Sequence, residues 1–206
     1  MSLCFYNSIK RKKEVFHPIE DGKVGLYTCG PTVYDYAHIG NFRTFVFEDL
    51  LKRWLFHLGF EVNHVMNITD LDDKTIQKAQ DENNPLKEIT DKYTAYFMED
   101  LVWLKMIPAD HYPKATESIP KMIRMIEILL EKEYAYREDD GSVYFNIRSF
   151  PDYGRLSKIN IAAQRSNDRV SNDEYDKDEP QDFALWKSWK PEDGDVSWNA
   201  PWGKGR

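Results

Sequence analysis

The sequence predicts an α/β fold of the doubly wound type, and three consecutive segments carry this prediction. Residues 24–28 are apolar and end at a Cys-Gly-Pro turn, as a buried strand does. From Gly40 to about residue 58, apolar side chains recur every three or four positions, which indicates a helix packed on a sheet. Residues 60–68 alternate and then become apolar, like a second strand. A strand, a helix and a returning strand form a βαβ unit, which is half of a nucleotide-binding fold.

The net charge, the number of cysteines and the length of the apolar runs argue against several classes of function. The chain has 206 residues and a formal net charge of -7, which gives no support to a protein that binds nucleic acid over its whole surface, although a local basic patch stays open. It has only two cysteines, Cys4 and Cys29, so a reducing cytoplasm is predicted rather than a disulfide framework. We expect neither a secretory leader nor a membrane span, since no apolar run approaches about 18 residues.

The segment before the first predicted strand is interpreted as an extended lead-in. Its basic residues 10–13 are predicted to form a solvated turn, with a phosphate or RNA contact as the alternative. After the second strand, Thr69 or Asp70 is predicted to cap a short helix. Residues 86–104 are predicted to form the next amphipathic helix, and a third is predicted to begin at Ser118.

The later part of the chain departs from strict strand–helix alternation. Successive helices, followed by a predicted strand at residues 143–147, indicate an inserted subdomain. Residues 157–182 are polar and charge-rich, so they are predicted to be a mobile loop. The sequence thus predicts the first half of a nucleotide-binding domain (1–70), an inserted connective subdomain (71–182) and a return toward the first domain (183–206).

The turn between the first strand and the first helix carries the residues with the clearest chemistry. Cys29 at the strand end is an inert packing residue, a nucleophile or one ligand of a zinc ion, which needs three or four protein ligands in all. At the helix start, His38 and the side-chain amide of Asn41 can donate hydrogen bonds to phosphate oxygens. Gly40 lets a triphosphate approach the backbone. A histidine that only caps the helix is the alternative.

Two other groups of residues allow more than one interpretation. Asp70, Asp72 and Asp73 are predicted to serve as helix caps, in preference to binding a metal. Four tryptophans late in the chain are predicted to anchor the core and loops, in preference to stacking on nucleic-acid bases. These are Trp186, Trp189, Trp198 and Trp202.

Six motifs resemble, in order and in register, those of the class I cysteinyl-tRNA synthetases. They lie at residues 29–45, 67–74, 115–120, 150–157, 182–187 and 197–203. The first contains Cys29-Gly30-Pro31-Thr32-Val33-Tyr34-Asp35-Tyr36-Ala37-His38-Ile39-Gly40-Asn41. The resemblance runs from about residue 3 to residue 206. It implies the Rossmann-like nucleotide-binding fold of class I synthetases, of which this chain would carry the first half with an inserted helical or mixed subdomain.

The resemblance also implies roles for individual residues. Cys29 matches the first zinc ligand. In the family this metal binds the thiolate of the substrate cysteine, and serine is rejected because its hydroxyl cannot replace a soft thiolate ligand. Gly30 and Thr69 match positions that line the cysteine pocket. Four residues match positions that hold ATP, and the histidine and the asparagine among them are expected to be catalytic. They are Thr32, His38, Gly40 and Asn41.

The implied reaction is the ATP-dependent activation of L-cysteine and its ligation to tRNA(Cys). The cysteine carboxylate attacks the α-phosphorus of ATP, pyrophosphate leaves, and cysteinyl-adenylate then transfers cysteine to the terminal ribose of the tRNA. The resemblance implies Zn²⁺ as cofactor and Mg²⁺ with ATP. It further implies a monomer in the cytoplasm.

The family's remaining zinc ligands, a second ATP-binding loop and an anticodon-reading region follow the last motif seen here. We therefore expect an amino-terminal fragment that does not form cysteinyl-adenylate at a meaningful rate by itself. Two alternatives stay open. One is a related ligase that joins cysteine to an amino-sugar, and the other is a non-catalytic fragment that binds a nucleotide or a partner chain.

Overall fold

The computed structural model describes residues 3–157 and 182–206, and it shows a mixed α/β protein. Its strands and α-helices, in chain order, are β1 (Cys4–Asn7), β2 (Lys12–Val15), β3 (Lys23–Thr28), α1 (Ile39–His57), β4 (Glu61–Met66), α2 (Asp73–Asp81), α3 (Leu86–Trp103), α4 (Ala115–Glu131), β5 (Ala135–Arg137), β6 (Val143–Phe145), β7 (Phe183–Trp186), β8 (Trp198–Ala200) and β9 (Gly203–Gly205). The predicted mobile loop, apart from its two end residues, lies outside the described residues.

The chain divides into two compact units. One is His17–Ile119, and the other combines Met1–Phe16 with Pro120–Arg206. The division predicted from the sequence, at residues 70 and 182, stays a prediction.

The predicted βαβ unit is present in His17–Ile119. Strands β3 and β4 pair in parallel, in a register that runs from Lys23 opposite Glu61 to Thr28 opposite Met66. Helix α1 connects them. The carboxyl ends of both strands therefore lie side by side, and the turn into α1 starts at that edge of the sheet.

The hydrophobic core of this unit lies between the βαβ unit and the two helices that follow it. The turn after β3 contributes Val33, helix α1 contributes Phe45, and the end of β4 contributes Met66 and Ile68. Helix α3 adds a stripe at three- and four-residue spacing, as its predicted amphipathic pattern requires. That stripe consists of Ile89, Tyr93, Phe97 and Leu101. Burial of this stripe fixes the helix beneath the strand ends.

A third extended segment runs beside β4 and was not predicted. Residues 111–114 form parallel bridges, Val65 with His111 and Ile68 with Lys114. The backbone N–H of Met66 donates to the carbonyl of His111 at 3.0 Å. The segment includes Pro113 and has no apolar alternation, so its pattern does not indicate a strand.

Helix α4 begins three residues earlier than predicted. The expected start was Ser118, but the helix begins at Ala115. The carboxylate of Asp70 accepts hydrogen bonds from the backbone N–H of Thr116 at 2.9 Å and from its hydroxyl at 2.5 Å. Asp70 therefore caps a helix that begins 45 residues later, and a local sequence pattern does not show such a cap.

Helix α2 has a different cap from the predicted one. Neither Thr69 nor Asp70 caps it. Asp72 does, because its side chain accepts from the backbone N–H of Lys74 at 2.9 Å while its own N–H donates to Thr75 Oγ1 at 2.9 Å. The prediction that these aspartates cap the helix after β4 is thus confirmed for Asp72, whereas Asp70 caps α4 instead.

The second unit contains small antiparallel sheets and most of helix α4. Strands β1 and β2 form a hairpin where the sequence predicted only an extended lead-in, and the basic residues 10–13 occupy its exposed turn and second strand. Strands β5, β6 and β7 form a three-stranded sheet. Trp186 and Trp202 are buried and meet edge to face, with ring centroids 5.8 Å apart. The predicted core role is confirmed for these two tryptophans.

No α-helix in the described part of the chain is long and apolar enough to cross a bilayer.

Candidate active site

The turn after β3 is joined to the residues after β4. Thr32 and Thr69 form a parallel bridge. The N–H of Val33 donates to the Thr69 carbonyl at 3.1 Å, and the N–H of Thr69 donates to the Pro31 carbonyl at 3.0 Å. The predicted ATP-contacting Thr32 and the predicted pocket residue Thr69 are therefore neighbours. They belong to a continuation of the sheet rather than to two free loops.

Gly30 is required by the packing of this turn. A Cβ atom at Gly30 would lie far inside van der Waals contact of the backbone carbonyl oxygen of Asn67, and 3.0 Å from the side chain of Met66. The carbonyl belongs to the chain leaving β4, so it cannot swing away like the end of a flexible side chain. Only glycine lets the backbone after Cys29 approach β4 this closely.

Asn67 connects the two strand ends through its side chain. Its Oδ1 accepts from the hydroxyl of Tyr27 at 3.0 Å and from the N–H of Gly30 at 3.3 Å, while its Nδ2 donates to Thr69 Oγ1 at 3.2 Å. Asn67 was not among the predicted site residues. Its place as a polar residue directly after a strand, at the edge where β3 also ends, is the signal that could have identified it.

His38 and Asn41 cap each other at the start of α1. The N–H of Gly40 donates to His38 Nδ1 at 3.0 Å, and the N–H of His38 donates to Asn41 Oδ1 at 3.0 Å. A neutral His38 must therefore carry its ring proton on Nε2. Both residues are exposed, and within the described ranges neither His38 Nε2 nor Asn41 Nδ2 has a hydrogen-bond partner. The cap thus leaves two N–H donors facing outward from one helix start.

The imidazole ring of His38 also explains why residue 40 is a glycine. A Cβ atom at Gly40 would lie 2.8 Å from His38 Cε1 and 2.9 Å from His38 Nδ1. A larger residue would therefore displace the ring and break the cap. The prediction that Gly40 lets a triphosphate approach the backbone stays a prediction, beside this additional structural reason for glycine.

Cys29 is a free, exposed thiol. Across residues 3–157 and 182–206, no three side chains of His, Cys, Asp or Glu are arranged to hold a metal ion. The described residues thus supply one thiolate but not the three or four ligands of a zinc site. They do not fit a zinc site on their own, and no chemical step below passes through zinc. The same search gives no support to a metal site at the aspartates after β4.

A buried polar network lies under the end of β3. Thr28 Oγ1 and His64 Nε2 are 2.9 Å apart. The N–H of His64 donates to Asp110 Oδ2 at 2.8 Å, and Lys52 Nζ donates to the same oxygen at 3.1 Å and to the Pro108 carbonyl at 2.7 Å. His64 retains only 3% of its accessible surface and Lys52 only 2%. The network thereby joins α1, both strands and the segment before residue 111.

The network shifts the acid–base properties of two buried groups. Burial lowers the pKa of His64, and the charge of nearby Lys52 lowers it further against the opposing effects of Asp110 and Asp49. Burial raises the pKa of Glu48, which a hydrogen bond with Thr28 partly offsets. The N–H of His64 and the Lys52 ammonium hold the pKa of Asp110 below its usual range, so Asp110 stays ionised near neutral pH.

We expect the neutral His64 to make the fold sensitive to mild acid. As pH falls through about 6.5, the unfolded chain binds a proton on His64 that the folded chain refuses, so the free energy of unfolding decreases. Glu48 opposes this decrease, because its raised pKa stabilises the folded state on the acid side. Urea denaturation at pH 7.5 and 5.5 should show a smaller loss of stability in His64→Gln than in the original chain. The exposed-site control His17→Gln should retain the full loss, and an equal loss in both variants would contradict the assignment.

Comparisons with known proteins identify relatives of this chain. Residues 15–206 match the family model described as tRNA synthetases class I (C) catalytic domain. A cysteine–tRNA ligase of Chlamydia pneumoniae is 56% identical over 205 residues, which cover 99% of this chain and 43% of that protein. A cysteine–tRNA ligase of Brachyspira hyodysenteriae is 49% identical over 206 residues, again 43% of its length. A putative arginyl-tRNA synthetase of Campylobacter jejuni aligns over 66% of this chain and 40% of its own, with 16% identity and a TM-score of 0.49.

The chain thus spans less than half the length of the curated relatives it matches, while those relatives match nearly all of it. The family match covers the unit His17–Ile119 in full, most of the other unit, and every candidate site residue named above. The chain belongs to the family of class I tRNA synthetase (C) catalytic domains.

Proposed function

We propose that this chain carries the amino-terminal part of an ATP-dependent site that activates L-cysteine for ligation to tRNA(Cys). The observation that supports this most is the interlocked pair at the start of α1. It leaves the N–H groups of His38 Nε2 and Asn41 Nδ2 without protein partners in the described structure. Two fixed donors of this kind suit the oxygens of a phosphate chain, on which charge builds as pyrophosphate leaves.

The proposed roles of the other residues follow the chemistry of the turn. Gly30 and Thr69 would line the cysteine pocket, held in register by Asn67. Thr32 would lie against ATP, beside Thr69. The cysteine carboxylate would attack the α-phosphorus of ATP, with cleavage of the bond to the β-phosphate oxygen and release of pyrophosphate. The ribose hydroxyl of the tRNA would then displace AMP from the cysteinyl carbonyl carbon.

Several finer properties belong to the same proposal. The βαβ unit with the added segment at residues 111–114 supports the first half of a Rossmann-like sheet. The domain limits would follow at residues 70 and 182. Mg²⁺ would accompany ATP, and the protein would act as a cytoplasmic monomer. The names of the relatives favour a tRNA ligase over a ligase of cysteine and an amino-sugar.

The decisive experiment is a chimera in which residues 1–206 replace the matching segment of the Chlamydia pneumoniae relative. We expect cysteine-dependent exchange of pyrophosphate into ATP, and cysteinylation of tRNA(Cys) but not of an amino-sugar acceptor. The 206-residue chain is assayed in parallel, and we expect it to show no exchange of pyrophosphate into ATP. A folded chimera that binds neither ATP nor cysteine would contradict the proposal.

Cys29 as a zinc ligand is tested by metal content rather than by activity. We expect about one zinc per chimera, because one thiolate of this chain would join ligands from the rest of the relative. Cys29→Ser should lose the metal. Cys4→Ser, the matched change at the other exposed thiol, should retain it. Equal zinc content in the two variants would refute the role of Cys29.

A further inference from the structure

The buried network under β3 contains more polar groups than packing requires. Thr28, Glu48 and His64 each keep less than a tenth of their accessible surface. Neither His64 Nδ1 nor Glu48 Oε2 has a hydrogen-bond partner among the described residues. Each such orphaned group costs about 1–3 kcal/mol. Apolar residues of similar size would avoid this cost, so the network is kept at an expense in stability.

The network acts on one point of the backbone, the end of β3. The parallel pairing of β3 with β4 ends at Thr28 opposite Met66. Thr28 is held through its hydroxyl by His64 Nε2 at 2.9 Å. Cys29 is the next residue, and it lies beyond the regular strand.

The backbone on the other side of Cys29 is fixed as well. The N–H of Gly30 donates to Asn67 Oδ1 at 3.3 Å, and Gly30 packs against the Asn67 carbonyl. Cys29 is therefore an exposed residue between two anchored neighbours. One anchor is the close approach of Gly30 to β4, and the other is the buried hydroxyl of Thr28.

We propose that His64 is a positioning residue that acts through Thr28 to hold the Cys29 thiol in one orientation for the substrate cysteine. This rests on the proposed function, since it assigns the thiol a ligand-facing role. His64 touches neither substrate nor ATP. Its hydrogen bond to Thr28 restrains the end of β3. The cost is that two buried polar atoms, His64 Nδ1 and Glu48 Oε2, have no hydrogen-bond partner among the described residues.

The test compares two substitutions at His64. His64→Leu removes the hydrogen bond, while His64→Gln places an amide group near the position of Nε2 and can retain it. In the chimera, we expect His64→Leu to raise the KM for cysteine about fivefold, the equivalent of one lost hydrogen bond, with kcat and the KM for ATP little changed. His64→Gln should restore the KM for cysteine.

A second measurement reports on the thiol without any activity. In the 206-residue chain labelled with ¹³Cβ-cysteine, Cys29 and Cys4 each give a signal, and Cys4 serves as the internal control. We expect the Cys29 signal to broaden or split in His64→Leu and to stay single in His64→Gln. If the KM and the Cys29 signal do not respond to His64→Leu, or if His64→Gln behaves like His64→Leu, the positioning role is refuted.

Thr28 provides a second pair of variants should His64→Leu fail to fold. Thr28→Val has nearly the same shape and removes the hydroxyl, and Thr28→Ser keeps it. The same contrast is expected, with valine disturbing the Cys29 signal and serine preserving it. An inactive chimera whose Cys29 signal responds as expected would refute the proposed function and leave the positioning role supported. An active chimera whose Cys29 signal does not respond would refute the positioning role and leave the proposed function supported.

Discussion

Gly30→Ala is expected to destabilise the unit His17–Ile119 by about 3 kcal/mol and to abolish exchange activity in the chimera, because the new methyl group would overlap a backbone carbonyl. The Asn67 carbonyl can retreat only if the chain leaving β4 moves. That movement would also break the bonds of Asn67 to Tyr27 and Thr69. Urea denaturation of the 206-residue chain measures the loss of stability directly.

Gly25→Ala is the matched control for this prediction. Gly25 lies in β3, five residues before Gly30, and a Cβ atom there meets nothing within 4 Å. We expect its stability to change by less than about 1 kcal/mol, with a slight gain as the expected direction. If the two alanine variants unfold at the same urea concentration, the conclusion that Gly30 packs too closely on β4 to carry a side chain is wrong.

The sequence was most informative where a local pattern decides the structure. Helix α1 was predicted from Gly40 to about residue 58 and runs over Ile39–His57, because its apolar spacing and the capping pair His38 and Asn41 are both local. The parallel return of β4 follows from the short connection after that helix. The candidate residues at this turn could be located for the same reason, since they lie where a strand ends and a helix begins.

Contacts between distant segments account for the differences. The cap of α4 comes from Asp70, so the start of that helix depends on where β4 ends. Residues 111–114 pair with the sheet without a strand pattern, since their partner supplies the hydrogen bonds. His64 occupies an inward position of β4 that the alternation predicts to be apolar. Its polar partners are on β3 and in the segment at Asp110, so no window of sequence contains them together.

His38→Ala is expected to cause two separable losses, one in activity and one in stability. Loss of the Nε2 donor should slow cysteine-dependent exchange in the chimera by about 100-fold or more, the usual effect of removing one donor to a transition-state oxygen. Loss of Nδ1 should cost the 206-residue chain about 1 kcal/mol of stability, because the N–H of Gly40 loses its partner. Exchange rates and urea denaturation measure the two losses independently.

His38→Asn distinguishes the proposed catalytic role from the alternative that this histidine only caps the helix. Asparagine is a strong N-cap and should keep the N–H of Gly40 satisfied, so stability should stay close to that of the original chain. It lacks the reach of the Nε2 donor, so the exchange rate should fall as far as in His38→Ala. Asn41→Asp makes the same separation at the partner residue, because it keeps the oxygen that accepts from His38 and removes the Nδ2 donor. If His38→Asn exchanges pyrophosphate at the original rate, His38 is a cap alone and its Nε2 donor does not hold the phosphates of ATP.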